Sequence, residues 1–82
     1  MRGRLAEQVR VSRKAAGKTQ RDIAEATGFS HHYIYLIERG ECAPMKISTL
    51  VRLSNALSIS LDKLASAVIQ DRTDNLHNKL KP

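Results

Sequence analysis

The chain has 82 residues, of which 41% are hydrophobic, and a formal net charge of +6 at pH 7. This length supports one small domain, and the hydrophobic content predicts a folded chain rather than a disordered one. No apolar run approaches the roughly 18 residues of a membrane-spanning helix, and no signal-peptide pattern opens the sequence, so we expect neither a membrane protein nor a secreted one. The single cysteine, Cys42, cannot form an internal disulfide, which is consistent with a reducing cytoplasm.

The positive charge is concentrated at the start of the chain. Residues 1–21 hold seven basic side chains against one acidic side chain, Glu7, whereas the rest of the chain is balanced. A domain with one positive end suits a polyanion such as nucleic acid. A solubilising surface or a disordered arm has the same composition, so charge alone does not decide between these interpretations.

The first part of the sequence predicts two helices. One face of the first helix is formed by residues at helical spacing, namely Leu5, Val9, Ser12 and Ala16. Gly17 ends this helix. The sequence TQRD then places Thr19 as an N-cap and Asp22 three residues later, which is the pattern of a capping box. We expect a second helix over residues 20–27, ended by Gly28; its inward face carries Ile23, Ala24 and Thr27.

Three further helices are predicted in the rest of the chain. Ser30 is the expected N-cap of a third helix over residues 31–39, which Gly40 ends. Ser48 is the expected N-cap of a fourth helix, whose inward face carries Leu50, Leu53, Ser54 and Leu57. Ser60 is the expected N-cap of a fifth helix, whose inward face carries Leu61, Leu64, Ala65 and Val68. The domain is expected to span residues 1–69, and residues 70–82 form a polar tail that is flexible or associated with a dimer.

The second and third helices together predict a helix-turn-helix. Two helices of about eight residues, joined by a tight glycine turn, form this motif, and its second helix enters the major groove of DNA. Ala24 is small where the two helices cross, and Gly28 stands where the chain turns sharply, at positive φ. At about 100° per residue, Ile34 and Ile37 define the buried direction of the third helix.

The opposite face of the third helix carries side chains suited to a DNA groove. The residues that point away from the core are His32, Tyr35, Leu36 and Arg39, with His31 and Tyr33 on the flanks. Imidazole, phenol and guanidinium groups donate and accept hydrogen bonds at base edges and phosphates, and an isobutyl group contacts a thymine methyl. Glu38 falls on the inner flank.

Residues 5–64 resemble the Cro/repressor-type (xenobiotic-response-element, XRE) helix-turn-helix family. The matching segments are RKAAGKTQRDIAEATGFS, YIYLIERGECAP and LVRLSNALSISLDKL. The resemblance implies an all-α, compact five-helix domain of the phage-repressor kind, which binds double-stranded operator DNA, usually as a homodimer on a pseudo-palindrome. The size leaves no room for a small-molecule effector domain and is similar to that of stand-alone controller proteins of restriction–modification systems. The resemblance further implies a cytoplasmic, nucleoid-associated regulator of a bacterium or phage.

The resemblance also implies roles for individual positions. The residues that would read bases are His31, His32, Tyr35 and Leu36. The residues that would contact phosphates are Lys18, Thr19, Gln20, Arg21, Tyr33, Arg39 and Lys46. Arg13 and Glu38 match a structural salt bridge of the family. The expected dimer seam, suggested also by surplus apolar residues near the C-terminus, comprises Leu61, Val68, Ile69 and Leu76. Ser58 departs from the family pattern, which often has glycine at the end of the fourth helix.

Several alternatives remain at this point. The two adjacent histidines could be ordinary surface residues, Tyr33 could pack against the first helix, and Arg39 could serve only as a charge at the end of its helix. A metal site formed from His31, His32, Cys42 and His77 lacks suitable ligand spacing. The carboxylates are scattered and no nucleophile motif or phosphate loop occurs, so we expect no metal, no cofactor and no enzymatic activity.

The alternative function from another class is an antitoxin-like interaction module that sequesters a partner protein. Leu76 and Leu80, spaced by four residues in the polar tail, would then form the docking segment.

Overall fold

The computed structural model describes residues 3–42, 44 and 46–80, with side chains described as far as residue 73. Five helices occur in order, namely α1 (Arg4–Ala15), α2 (Gln20–Thr27), α3 (His31–Glu38), α4 (Ile47–Leu57) and α5 (Leu61–Leu80). Over the described residues there is no strand, so the prediction of an all-α, five-helix domain is confirmed. The predicted bounds of α2 agree with the structure at both ends, and those of α3 agree to within one residue.

One hydrophobic core joins all five helices. Its most deeply buried side chains are Val9, Ile23, Ile34, Ile37, Leu53 and Leu64, together with Pro44 from the loop before α4. Complete burial of a side chain of this size contributes about 1.5–3 kcal/mol. These few side chains are therefore the main source of stability in so short a chain, and they hold α3 against α1, and α2 against α3 and α4.

The predicted inward face of α1 is correct in its first two turns and wrong at its end. Leu5 and Val9 are buried, and Ser12 is half-buried. Ala16 is exposed because α1 ends at Ala15 and the chain turns away from the core there. Ala6 is buried instead, because α1 packs against α5 as well as against α3 and so buries a wider stripe than one face.

The α2–turn–α3 unit follows the sequence prediction closely. The Thr19 hydroxyl accepts from the backbone N–H of Asp22 at 3.1 Å, and the Asp22 carboxylate accepts from the backbone N–H of Thr19 at 2.9 Å, which completes the capping box. Gly28 ends α2 with φ of 79°, and the Ser30 hydroxyl caps α3 by accepting from the N–H of Tyr33. The turn between the two helices is thus built from local hydrogen bonds and one glycine.

The predicted start of α4 is wrong. α4 begins at Ile47 with Lys46 as its N-cap, and no side chain caps it. Ser48 lies inside the first turn, because the backbone carbonyl of Lys46 already accepts from the N–H groups of Thr49 and Leu50. At the other end Ser58 has φ of 57°, the left-handed conformation that glycine adopts more easily.

The fifth helix does not end at the predicted domain boundary. The Ser60 hydroxyl accepts from the N–H of Lys63, as expected for an N-cap, but α5 continues through residue 70 to Leu80. The backbone of residues 70–80 is therefore helical, in the segment where the sequence predicts a polar tail that is flexible or associated with a dimer. The side chains of Leu76, His77 and Leu80 lie outside the described residues, so the roles predicted for them stay predictions.

Candidate nucleic-acid interface

The exposed face of α3 carries three side chains stacked along the helix. The rings of His32 and Tyr35 lie 6.3 Å apart at an interplanar angle of 23°. The Arg39 guanidinium carbon lies 5.4 Å from the centroid of the Tyr35 ring on its other side along the helix. Because these positions are three and four residues apart, they form one row, which we call the α3 row (His32, Tyr35, Arg39). It lies opposite the buried Ile34 and Ile37, as predicted.

The α3 row offers hydrogen-bonding groups in a fixed order from the start of the helix to its end. Tyr35 is 41% exposed, and His32 is also exposed. Arg39 donates from Nε to the Glu41 carboxylate at 3.1 Å, and the electrostatic effect of the Tyr35 phenol, followed by this hydrogen bond, raises its guanidinium pKa. An imidazole, a phenol and a cation therefore reach solvent on one face, whereas Leu36 beside them is half-buried and exposes only part of its isobutyl group.

Tyr33 belongs partly to the protein interior. Its ring meets the Phe29 ring edge-on, with centroids 5.2 Å apart and an interplanar angle of 83°. Burial, followed by the nearby Cys42 thiol, raises the pKa of its phenol. The ring contacts Phe29 in the turn before α3, lies near the Cys42 thiol and packs against the hydrophobic core. A phosphate contact through its hydroxyl stays a prediction.

A continuous hydrogen-bonded network links α1, α2 and α3. Arg13 donates to both carboxylate oxygens of Glu38, from Nε at 2.7 Å and from a terminal nitrogen at 3.0 Å. The Gln20 amide nitrogen donates to Glu38 Oε1 at 3.3 Å, and Gln20 Oε1 lies 3.2 Å from His31 Nε2. The structure therefore contains the salt bridge between Arg13 and Glu38. It also connects that salt bridge to His31, which the sequence did not predict.

The other residues predicted to contact phosphates lie at the N-terminus of α2 and at the N-terminus of α4. Lys18, Thr19 and Arg21 are exposed at the N-terminus of α2, and Lys46 is exposed at the N-terminus of α4. A helix N-terminus is electropositive and offers N–H groups to an anion. The hydroxyl and backbone N–H of Thr19 already serve the capping box with Asp22. Its first role is thus to hold α2.

The predicted dimer residues divide into core and surface. Val68 is only 6% exposed and lies in the core of the protomer, so its placement on a dimer surface is corrected. Leu61 is half-buried against the same core, whereas Ile69 is 64% exposed. Each residue of a helix is rotated by about 100° from the one before it, which carries Ile69 off the buried stripe that contains Val68. The side chain of Leu76 lies outside the described residues.

The structure also exposes apolar residues that the sequence analysis missed. Ile47 is 65% exposed and Val51, one turn later on α4, is 37% exposed. Their spacing of four residues, out of phase with the buried Leu50 and Leu53, is the signal from which this second apolar stripe could have been predicted.

The described part of the molecule contains neither a metal-binding cluster nor a membrane-spanning helix. Among the side chains described, no three histidine, cysteine, aspartate or glutamate residues are grouped so as to hold a metal ion. None of the helices described is both long enough and apolar enough to cross a bilayer.

Comparison with known proteins gives consistent matches. A family model described as a helix-turn-helix domain matches residues 4–67. The cryptic phage CTXphi transcriptional repressor RstR of Vibrio cholerae is 33% identical over 78 residues, which cover 95% of this chain and 69% of the repressor. This relative and the family model both span the segment that contains α2 and α3.

Solved structures match the fold. The restriction-modification controller protein C.AhdI from Aeromonas hydrophila superposes with a TM-score of 0.68 at 26% identity, covering 74% of this chain and 91% of the controller. The clp gene regulator ClgR from Corynebacterium glutamicum superposes with a TM-score of 0.69 at 28% identity, covering 84% of this chain and 88% of the regulator. From the family match, these relatives and the α2–turn–α3 geometry, the chain belongs to the Cro/repressor-type helix-turn-helix family.

Proposed function

We propose that this protein is a sequence-specific, double-stranded DNA-binding transcription regulator that acts as a homodimer on a pseudo-palindromic operator. The observation that supports this most directly is the α3 row, which stands exposed on the second helix of a helix-turn-helix whose other face is sealed by Ile34 and Ile37. The similarity to a phage transcriptional repressor and to a restriction-modification controller protein supports a role in transcription.

In this proposal α3 lies in the major groove, which is about 12 Å wide and admits one helix. His31 and His32, in the first turn, read base edges, and Tyr35 follows one turn later. Leu36, with part of its side chain exposed, contacts a thymine methyl group. Because His32 and Tyr35 are stacked on each other, they enter the groove as one preformed surface and lose little side-chain freedom on binding.

Phosphate contacts on both sides of the groove would fix the position and orientation of the protein on the DNA duplex. Gln20, Lys18 and Arg21 lie around the N-terminus of α2, and Thr19 holds that end of the helix. Arg39 at the end of α3 and Lys46 at the start of α4 would contact the other strand, and so would the Tyr33 hydroxyl. The net charge of +6 favours such contacts, which make affinity fall steeply with salt.

The homodimer in this proposal uses exposed apolar side chains outside α3. Ile69 on α5 and the stripe of Ile47 and Val51 on α4 are the candidates, since a monomer gains nothing from exposing them. A two-fold axis would place the two α3 helices about 34 Å apart, one turn of DNA. Half-sites of the operator would then be inverted repeats at that spacing.

The test is a selection from a pool of random DNA duplexes at near-physiological salt, with sequencing of the retained molecules. We expect an enriched motif with two-fold symmetry. A Tyr35→Ala variant, which removes a solvent-exposed ring, should fold normally and lose part of the motif. Salt-sensitive binding without any enriched motif would contradict sequence-specific recognition, and an enriched motif without symmetry would contradict the homodimer.

A further inference from the structure

We propose that the hydrogen-bonded chain from Glu38 through Gln20 to His31 fixes which nitrogen of the His31 ring carries the proton. His31 thereby selects a base with an exocyclic amino group, adenine or cytosine, on the strand that it contacts. The inference rests on the proposed DNA-binding function. Its starting point is a network that the free protein already contains.

The first step is the state of Glu38. Its side chain is buried, and both carboxylate oxygens accept hydrogen bonds from the Arg13 guanidinium, at 2.7 and 3.0 Å. A carboxylate paired with a guanidinium in this way is ionised, because a buried guanidinium without an anion is strongly unfavourable. An ionised carboxylate only accepts hydrogen bonds.

The second step is the orientation of Gln20. A side-chain amide has a nitrogen that donates and an oxygen that accepts. Because Glu38 only accepts, the Gln20 group that lies 3.3 Å from Glu38 Oε1 must be the amide nitrogen. Gln20 Oε1 therefore points to His31, and the 3.2 Å separation is that of a hydrogen bond.

The third step is the tautomer of His31. The Gln20 oxygen only accepts, so Nε2 of His31 must carry the hydrogen that it donates. A neutral imidazole has one N–H, so Nδ1 carries a lone pair. His31 is exposed in the first turn of α3, the part of a recognition helix that contacts bases. The neutral ring thus presents an acceptor to the groove.

The fourth step is the base that an acceptor selects. In the major groove the donors are the amino groups N6 of adenine and N4 of cytosine, whereas guanine O6 and thymine O4 are acceptors. The Nδ1 lone pair attracts the amino groups and repels the carbonyl oxygens. On the contacted strand we therefore expect adenine or cytosine over guanine or thymine by about tenfold, the effect of one hydrogen bond gained against one repulsive contact.

The first measurement is the tautomer itself, in the free wild-type protein at mildly alkaline pH, in the form of the ring that carries a single N–H. Nitrogen-15 correlation spectra of the imidazole distinguish Nε2–H from Nδ1–H. We expect His31 to be in the Nε2–H form. In a Gln20→Ala variant, which keeps the pair of Arg13 with Glu38, we expect a mixture of both forms. The Nδ1–H form in the wild type would overturn the inference, whatever the DNA experiment shows.

The second measurement is the random-duplex selection, run at the same pH with the wild type and three variants. The operator position read by His31 is the one whose preference disappears in His31→Ala. We expect the wild type to prefer one orientation of the base pair there, A·T and C·G over T·A and G·C as read along one strand, and we expect Gln20→Ala to lose this preference at that position alone. Arg21→Ala, which removes an exposed charge from the same helix, should lower affinity for all sequences alike and keep the preference.

The outcomes separate the two proposals. A symmetric motif that accepts both orientations of a base pair equally at the His31 position, or that groups adenine with guanine on one strand, would overturn the inference and leave the proposed function intact. An unchanged preference in Gln20→Ala would also overturn it, since a phosphate contact by Gln20 affects affinity but not the ratio between bases. If no motif is enriched at all, the proposed function fails and base selection by His31 fails with it.

Discussion

The carboxylate of Asp71 caps the N-terminus of α1 from the far end of the chain. Its two oxygens accept from the backbone N–H groups of Arg4 at 2.7 Å and Leu5 at 3.1 Å. Gly3, at the N-cap position, has no side chain to serve this role, and a Cβ atom there would lie 3.0 Å from Asp71 Oδ2. A residue of α5 thus satisfies the donors that a local cap normally satisfies.

Replacing Asp71 with alanine should destabilise the fold by about 1 kcal/mol, the usual cost of removing a helix cap. The reason is that two N–H groups at the electropositive end of α1 lose their acceptor. Urea unfolding followed by circular dichroism measures the change. Glu25→Ala, which removes an exposed carboxylate from α2, serves as control and should change stability by much less. Equal effects of the two substitutions would contradict a capping role.

Replacing Arg13 with alanine should cost about 3 kcal/mol or more, because it leaves the buried Glu38 carboxylate without a counter-charge. Adding Glu38→Gln to the Arg13→Ala variant should recover part of this loss, since the second substitution removes the unpaired charge. Thermal unfolding of both variants tests the pair. A loss below about 1 kcal/mol in the single variant would mean that the ion pair contributes no more than an exposed one.

The capping box of α2 should make stability depend on pH in acid. Hydrogen bonds from the backbone and then the hydroxyl of Thr19 lower the pKa of Asp22 from its ordinary 3.8. The folded-state pKa lies below the unfolded one, so the carboxylate stabilises the fold above pH 3.8 and loses this effect as the pH falls through the lowered value. Wild type should therefore exceed Asp22→Asn in melting temperature at neutral pH and approach it in strong acid. A difference that is independent of pH would contradict this assignment.

Removing the carboxylate of Glu41 should strengthen DNA binding. Glu41 accepts from Arg39 Nε at 3.1 Å, so it competes with a DNA phosphate for that guanidinium. Glu41→Gln should raise affinity, and Arg39→Ala should reduce the slope of log affinity against log salt by about 0.9, the effect of one lost phosphate contact. Fluorescence anisotropy over a salt series measures both. Glu25→Gln changes net charge equally; the same gain from it would show that Glu41 has no specific effect.

Replacing Ile69 with aspartate should convert the proposed homodimer to a monomer. The side chain is 64% exposed in the protomer, so its charge should not disturb folding, whereas it would be buried in an apolar interface. Analytical sedimentation gives the mass in solution. Val11→Asp, at an exposed apolar position on α1, is the matched control and should leave the dimer intact. A dimer unaffected by Ile69→Asp would place the interface elsewhere, with the Ile47 and Val51 stripe as the next candidate.

Much of the α2–turn–α3 unit could be predicted because its signals are local. Thr19 and Asp22 bond to each other across three residues, and the Gly28 N–H bonds to the Ala24 carbonyl four residues back; the structure contains the predicted capping box and the left-handed glycine. The spacing of Ile34 and Ile37 was enough to separate the inner face of α3 from its outer face, since a helix repeats every 3.6 residues.

Other features depend on where distant helices meet, and no periodicity within one helix contains that information. Val68 is buried and Ile69 exposed because α5 packs on α1 and α4 at a particular rotation. Asp71 caps α1 only because the two helices lie side by side in the fold.

The sequence by itself determined the number and order of the helices, the turn between α2 and α3 and the residue types offered to a DNA groove, because these follow from short-range capping, backbone conformation and helical spacing. Only the tertiary structure decided the environment of each side chain. It brings Gln20 between Glu38 and His31, across eighteen and eleven residues of chain. Hydrogen bonds between residues so far apart exist only after hydrophobic burial has set the helices against one another.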